Sequence, residues 1–196
     1  MKYHSSDPML NKNGVLINKL NIETQDELDK KEAQITAIQT AILLITPVKG
    51  QFDIAHLKAI HKHLFNEIYS WAGEIRSIDI SKGDTMFATS SRIIPELEKL
   101  FNELKNEQFL KNTLPEKIPA RLAYYLGEIN AIHPFREGNG RTQRLFIHQL
   151  AQTLGFYLNL EKVSADEMIQ ASILSHKCDY SALENIIKKG LTPIPK

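Results

Sequence analysis

The sequence predicts an all-α domain carrying one small β-hairpin, and three observations predict it. Apolar residues recur at helical spacing through most of the chain, as in Leu122, Tyr125, Leu126 and Ile129, and again in Leu145, Ile147, Leu150 and Leu154. Helix-start signatures accompany them. Thr24 with Glu27, Ser164 with Glu167 and Ser181 with Glu184 are capping boxes, in which a hydroxyl and a carboxylate three residues apart satisfy free backbone donors. One stretch, Trp71 to Phe87, changes character: β-branched Ile75, Ile78 and Ile80 approach the turn Ser81-Lys82-Gly83-Asp84, with Met86 and Phe87 beyond it.

Taken in order, residues 1–23 read as irregular, because Pro8, Asn11, Asn13 and Gly14 break any period. A helix is predicted from Thr24 to about Ile45, closed by Pro47 and Gly50. A second runs from Asp53, its N-cap, to Ile68. It contains His56, His61 and His63, but without the four-residue spacing that sets two metal ligands on one helical face. Ser91 to Leu110 is an amphipathic helix with Ile93, Leu97, Leu100, Phe101 and Leu104 on one side, and Pro95 is tolerated in its first turn. Asn112 to Glu116 is a linker. Two helices, Ile118 to Ile132 and one beginning near Arg141, flank a loop. Two short helices follow, and Gly190 to Pro195 cannot continue the last one. Six to eight helices result, divided as an N-terminal extension with the first helix over 1–50, the main domain over 51–190, and a tail over 191–196.

Composition excludes several classes. Hydrophobic content of 42% and charged content of 24% are ordinary for a soluble globular domain. A net charge of +1 and the lack of a basic run argue against a nucleic-acid partner or a helix-turn-helix DNA binder. The lone Cys178 allows no internal disulfide and fits a reducing compartment. Met1-Lys2-Tyr3-His4 is followed by polar residues, so no signal peptide is expected, and the apolar run Ala41 to Thr46 is too short to span a bilayer. The expectation is a cytoplasmic protein with no membrane partner.

Chemistry concentrates in the loop His133-Pro134-Phe135-Arg136-Glu137-Gly138-Asn139-Gly140-Arg141-Thr142-Gln143-Arg144. The residue before a proline is pushed out of the α region, so the preceding helix should stop near His133. Backbone N–H groups of a Gly-x-Gly turn can form an anion nest, and a helix N-terminus adds free donors. Arg141 and Arg144 share one face of the first turn. Cations there oppose the helix dipole by roughly 0.3–1 kcal/mol each, which makes sense when an anion sits between them. Planar guanidinium suits phosphate. Glu137 can carry a magnesium ion, which takes one or two carboxylates plus phosphate oxygens. His133 can accept a proton from a hydroxyl. Each residue alone has a structural reading: a turn, a capping histidine, a surface ion pair, a solvated carboxylate. Phe135 reads as core. Together they read as a phosphoryl- or nucleotidyl-transfer site.

The string His-x-Phe-x-Glu-Gly-Asn-Gly-Arg-x-x-Arg, from His133 to Arg144, resembles the complete signature of the Fic family. The resemblance spans roughly Gln51 to Lys189, and Tyr3 to Leu20 is similar to the N-terminal extension of short bacterial Fic toxins. It implies a Fic fold and transfer of AMP from ATP to a hydroxyl side chain of a target protein. His133 then corresponds to the general base and Glu137 to the magnesium ligand. Gly138, Asn139 and Gly140 correspond to the anion hole, and Arg141 and Arg144 to the arginines on the β- and γ-phosphates. Ile75-Arg76 through Lys82-Gly83-Asp84 corresponds to a flap that registers the target by main-chain bonds, with Lys82 and Gly83 close to the nucleotide.

Many Fic proteins carry an inhibitory helix reading Ser/Thr-x-x-x-Glu-Gly/Asn, whose glutamate pairs with the second arginine. Here Ser70 and Glu74 have that spacing, but Ile75 follows. The resemblance therefore implies a separate small antitoxin that supplies the glutamate, and DNA gyrase or topoisomerase IV as a candidate target. The alternatives are AMP removal or transfer of another phosphate-containing group in the same pocket, and a non-catalytic nucleotide-binding module, for which loss of His133 or Glu137 would be expected.

Overall fold

The computed structural model describes residues 7–83 and 85–195; Met1 to Ser6, including the Tyr3 end of the extension, and Asp84 of the flap turn lie outside the described residues. Seven α-helices form among them: α1 (Gln25–Ile45), α2 (Ile54–Phe65), α3 (Ile93–Asn106), α4 (Ile118–Ile132), α5 (Asn139–Thr153), α6 (Ala165–Ser175) and α7 (Ser181–Gly190). Strands β1 (Ser81–Lys82) and β2 (Thr85–Met86) pair antiparallel, as do β3 (Phe156–Leu158) and β4 (Leu191–Pro193). The all-α expectation holds, and no helix among the described residues is long and apolar enough to cross a membrane.

Helix α4 is the central post, packed against α3, α5, α6 and α7. Its stripe of Leu122, Tyr125, Leu126 and Ile129 is fully enclosed, as are Leu145, Phe146, Ile147 and Leu150 of α5. Each such side chain contributes roughly 1.5–3 kcal/mol of burial. Helix α2 lays Leu57, Ile60, Leu64 and Phe65 on α5 from the other side. The N-terminal segment is bound to this core: Val15 and Leu16 are buried, and Asp7 forms an enclosed ion pair with Arg136 at 2.5 Å.

Several local expectations are corrected. Thr24 stands at the N-cap of α1 but its side chain makes no capping bond, whereas Asp53 and Ser164 cap α2 and α6 as expected. Helix α7 begins at Ser181 itself, whose N–H and hydroxyl both bond Asp179, so the cap lies one residue earlier. Helix α2 ends at Phe65 rather than Ile68, and α3 stops at Asn106 rather than Leu110. The second stop has a clear cause: Gln108, Phe109 and Leu110 all take left-handed φ, from 52° to 64°, which cannot propagate a right-handed helix. Burial of Leu110 holds that turn in place. The hairpin is shorter than Ile75–Phe87 suggests, with only Ser81–Lys82 and Thr85–Met86 paired. The tail is in part a strand, since Leu191–Pro193 pairs with Phe156–Leu158 once Gly190 ends the helix.

Candidate active site

Helix α4 ends where the sequence requires. His133 takes a left-handed φ of 51° as its C-cap, its N–H bonds Ile129 O, and Pro134 bars another turn. The chain then folds over Phe135, which is buried and stacked on His61 at 3.9 Å. Asn139 closes the loop with both ends of its amide: Oδ1 accepts from Phe135 N–H at 2.8 Å and Nδ2 donates to Phe135 O at 2.7 Å. What Asn139 offers the cleft is therefore backbone, at the N-terminus of α5. Gly138 takes φ +78°, and a Cβ there would lie 2.2 Å from the Phe65 ring. Only glycine fits.

Two buried side chains from outside the loop hold it from behind. His61 on α2 accepts from Gly73 N–H through Nδ1 at 2.8 Å, so its proton sits on Nε2 and is donated to Glu137 O at 3.0 Å. Burial lowers its pKa to about 4, and the ring is neutral. The histidines of α2 thus serve packing and loop support. Arg76 spreads its guanidinium over four carbonyls: His133 O at 2.8 Å, Ile78 O at 2.6 Å, Ala88 O at 2.5 Å and Ile132 O at 3.2 Å. Its own N–H reaches Pro134 O at 2.9 Å. This arginine ties the base of the flap to the end of α4.

In front of the loop lies a cavity of about 440 Å³. It gathers the residues that the Fic resemblance assigned to the site: Lys82 and Gly83 from the flap, His133 and Glu137 from the loop, and Gly138, Asn139, Gly140, Arg141 and Arg144 from the start of α5. A wider depression of about 570 Å³ near Arg121 holds no comparable set, and Arg121 is already paired with Glu103 and Glu107.

His133 presents one unprotonated ring nitrogen. Nδ1 donates to Asn130 O at 3.1 Å, which leaves the Nε2 lone pair unprotonated, and the ring stacks on Phe87 at 3.7 Å. Burial lowers its pKa to about 4, the Asn130 carbonyl opposes that, and Arg76 and Lys82 reinforce it. Glu137 turns one carboxylate oxygen toward Gly138 N–H at 2.8 Å, and Arg141 stands 3.6 Å from it; the other oxygen has no hydrogen bond among the described residues. No cluster of three or more His, Cys, Asp or Glu capable of holding a metal occurs among the described residues. Magnesium can bind through a single carboxylate where phosphate oxygens supply the remaining ligands.

The two arginines differ. Arg141 pairs with Glu32 of α1 at 2.5 Å, bonds Thr36 Oγ1 at 3.2 Å and lies over the Phe65 ring at 4.8 Å. Arg144 has no hydrogen bond or ion pair among the described residues, and its pKa is lowered by burial and by Arg141. A half-buried cation facing a cavity beside a second cation is stabilised when an anion joins it.

The sequence reading missed the other walls. Asn130 and Gln143 face the cavity and are bonded to each other at 3.1 Å, while Met168, Ile169 and Ile173 of α6 supply an apolar side. Their helical spacing on α6 was the one available signal. Partly exposed Ile169 and Ile173 suit an aromatic base.

A helical domain with a cleft at a helix N-terminus lined by two arginines, a neutral histidine and a short flap defines the class. The Fic/DOC family matches residues 51–151, and the chain belongs to that family. It is 39% identical over 189 residues to the protein adenylyltransferase VbhT of Bartonella schoenbuchensis, covering 96% of this chain and 40% of that protein. It is 36% identical over 176 residues to the "Probable protein adenylyltransferase Fic" of Escherichia coli K12, covering 89% of this chain and 86% of that protein. The structure matches the N-terminal Fic domain of a VirB-translocated Bep effector protein from Bartonella quintana, solved with bound ADP, at a TM-score of 0.87 and 28% identity, covering 95% of each chain.

Proposed function

We propose that this chain is a protein adenylyltransferase that moves AMP from ATP to a hydroxyl side chain of a target protein. One observation carries the reading: a single cavity holds a neutral His133 with a free Nε2 lone pair and an uncompensated Arg144 at a helix N-terminus. The polyphosphate lies on the Gly138-Asn139-Gly140 turn, on the backbone donors of Asn139 and Gly140, and on the two arginines. His133 Nε2 takes the proton of the target hydroxyl as its oxygen bonds the α-phosphorus, and the bond to the bridging oxygen of pyrophosphate breaks. Glu137, through its free carboxylate oxygen, is the residue that would hold Mg2+, which when bound neutralises phosphate charge. Lys82 and Gly83 close over the nucleotide from the flap, and the target docks on the flap edge, where Met86 is 65% exposed.

The same reading includes regulation and setting. A separate antitoxin carrying a glutamate would satisfy Arg144, because Ser70-x-x-x-Glu74 places its carboxylate beside Lys58 at 3.6 Å and not in the cleft. DNA gyrase or topoisomerase IV in the cytoplasm is the first target to assay. The test is ATP labelled on the α-phosphate, with magnesium and host lysate. A labelled protein band with wild type and none with His133→Ala supports the reading; no band with either, although ATP binds, contradicts it in favour of a binding module.

A further inference from the structure

Among the described residues, one arginine of the pair is compensated within the chain and the other is not. Glu32 sits on α1, more than one hundred residues from Arg141 in sequence and outside the segment matched by the family, 51–151. It is buried on one face of α1, otherwise largely exposed, and only 8% of its surface is accessible. Its Oε1 takes Arg141 Nη2 at 2.5 Å, and its Oε2 takes the hydroxyl of buried Tyr69. Thr36, one turn on, gives its hydroxyl proton to Glu32 O and accepts from Arg141 Nη1 at 3.2 Å.

A buried carboxylate needs its charge matched and its lone pairs filled. Glu32 obtains both from Arg141 and Tyr69, so neither carboxylate oxygen is free to swing. Arg141 is held by two of its five N–H donors, with the Phe65 ring beneath it, and three donors remain for an anion in the cavity. Arg144 has no such brace. We infer that Glu32, locked from behind by Tyr69, is a positioning residue that fixes the Arg141 guanidinium for the β-phosphate of the nucleotide. This rests on the adenylyltransferase reading of the cleft. A carboxylate that merely competed with phosphate for Arg141 would be mobile and solvated; this one is enclosed and doubly bonded.

The test compares binding of ADP and AMP, by calorimetry, to wild type, Glu32→Gln, Tyr69→Phe and Arg141→Ala. AMP lacks the β-phosphate, so a positioning role shows only in ADP. Glu32→Gln should weaken ADP on the order of tenfold, the scale of one charge-assisted hydrogen bond, with AMP unchanged. Tyr69→Phe, a smaller change to the same brace, should weaken ADP less and in the same direction. Unchanged or tighter ADP binding by Glu32→Gln, with Arg141→Ala still impaired, would overturn the inference while leaving the cleft reading intact. Equal loss of ADP and AMP by Glu32→Gln and Tyr69→Phe would overturn it in favour of a general packing role. No ADP defect in Arg141→Ala would overturn the reading of the cleft, and the inference with it.

Discussion

The loop from His133 to Arg144 and the flap around Ser81–Met86 face the same cavity but are built in opposite ways. The loop is enclosed: Phe135, Arg136 and Asn139 are almost fully buried, and its backbone is fastened by Arg76, His61 and Asn139. The flap is two strands of two residues, with Ser81 and Lys82 exposed and Met86 65% exposed. Two-stranded ribbons of this size have little stability of their own. The contrast matches the two tasks proposed for them. Proton transfer and phosphate binding need fixed atoms, whereas an edge proposed to register another chain by main-chain bonds works with few side-chain constraints.

The largest effect should come from the loop. His133→Ala should lower AMP transfer by roughly 10²–10⁴-fold, the usual contribution of a general base, while nucleotide binding is kept. Paired assays of transfer and ADP affinity check this.

The left-handed glycine of the loop and that of the flap sharpen the comparison next. Gly138→Ala forces a methyl group to within 2.2 Å of Phe65 and should cost roughly 3 kcal/mol with loss of nucleotide binding. Gly83 has φ +58° with nothing within 4 Å of its Cβ position, so Gly83→Ala should cost only about 1 kcal/mol in the flap. Urea denaturation of both variants reads the difference. Equal destabilisation would mean the flap is as constrained as the loop.

Acid should act through the loop as well. His61 and His133 both have folded pKa values near 4, below the usual 6.5. The unfolded chain therefore binds protons that the folded one does not as pH falls below 6.5. The stability is present above that value and is lost downward through pH 4, by roughly 2 kcal/mol per histidine at pH 5. Denaturation at pH 7 and pH 5 should show the loss, and His61→Gln should show less of it. The pH profile of kcat/KM should stay flat down to about pH 5, because the free His133 is already unprotonated there.

What the sequence revealed follows from where the information lies along the chain. Helices α4 and α5 and the loop between them were legible because periodicity, the X-Pro rule and the twelve-residue motif are all contiguous. The residues that brace the loop were not. Glu32, His61, Tyr69 and Arg76 act across long sequence separations, and a lone buried glutamate or arginine looks like a surface charge until the fold is known. His56, His61 and His63 drew attention as a possible metal set, while the actual work of His61, carrying a hydrogen bond to Glu137 O, has no local signature. The end of α3 escaped notice because Gln108, Phe109 and Leu110 are not residues that favour left-handed φ; burial of Leu110 holds the turn there. Strand β4 escaped because its partner, Phe156–Leu158, lies beyond two intervening helices.

The most direct test of the account is to supply ATP labelled on the α-phosphate in one reaction and on the γ-phosphate in another, with magnesium and the same lysate. If Arg141 and Arg144 hold the β- and γ-phosphates and His133 activates the hydroxyl, as proposed, protein should take up α label that is absent with His133→Ala, and no γ label beyond that seen with His133→Ala. Protein labelled from the γ position by wild type and not by His133→Ala would contradict it and make the chain a phosphoryl transferase.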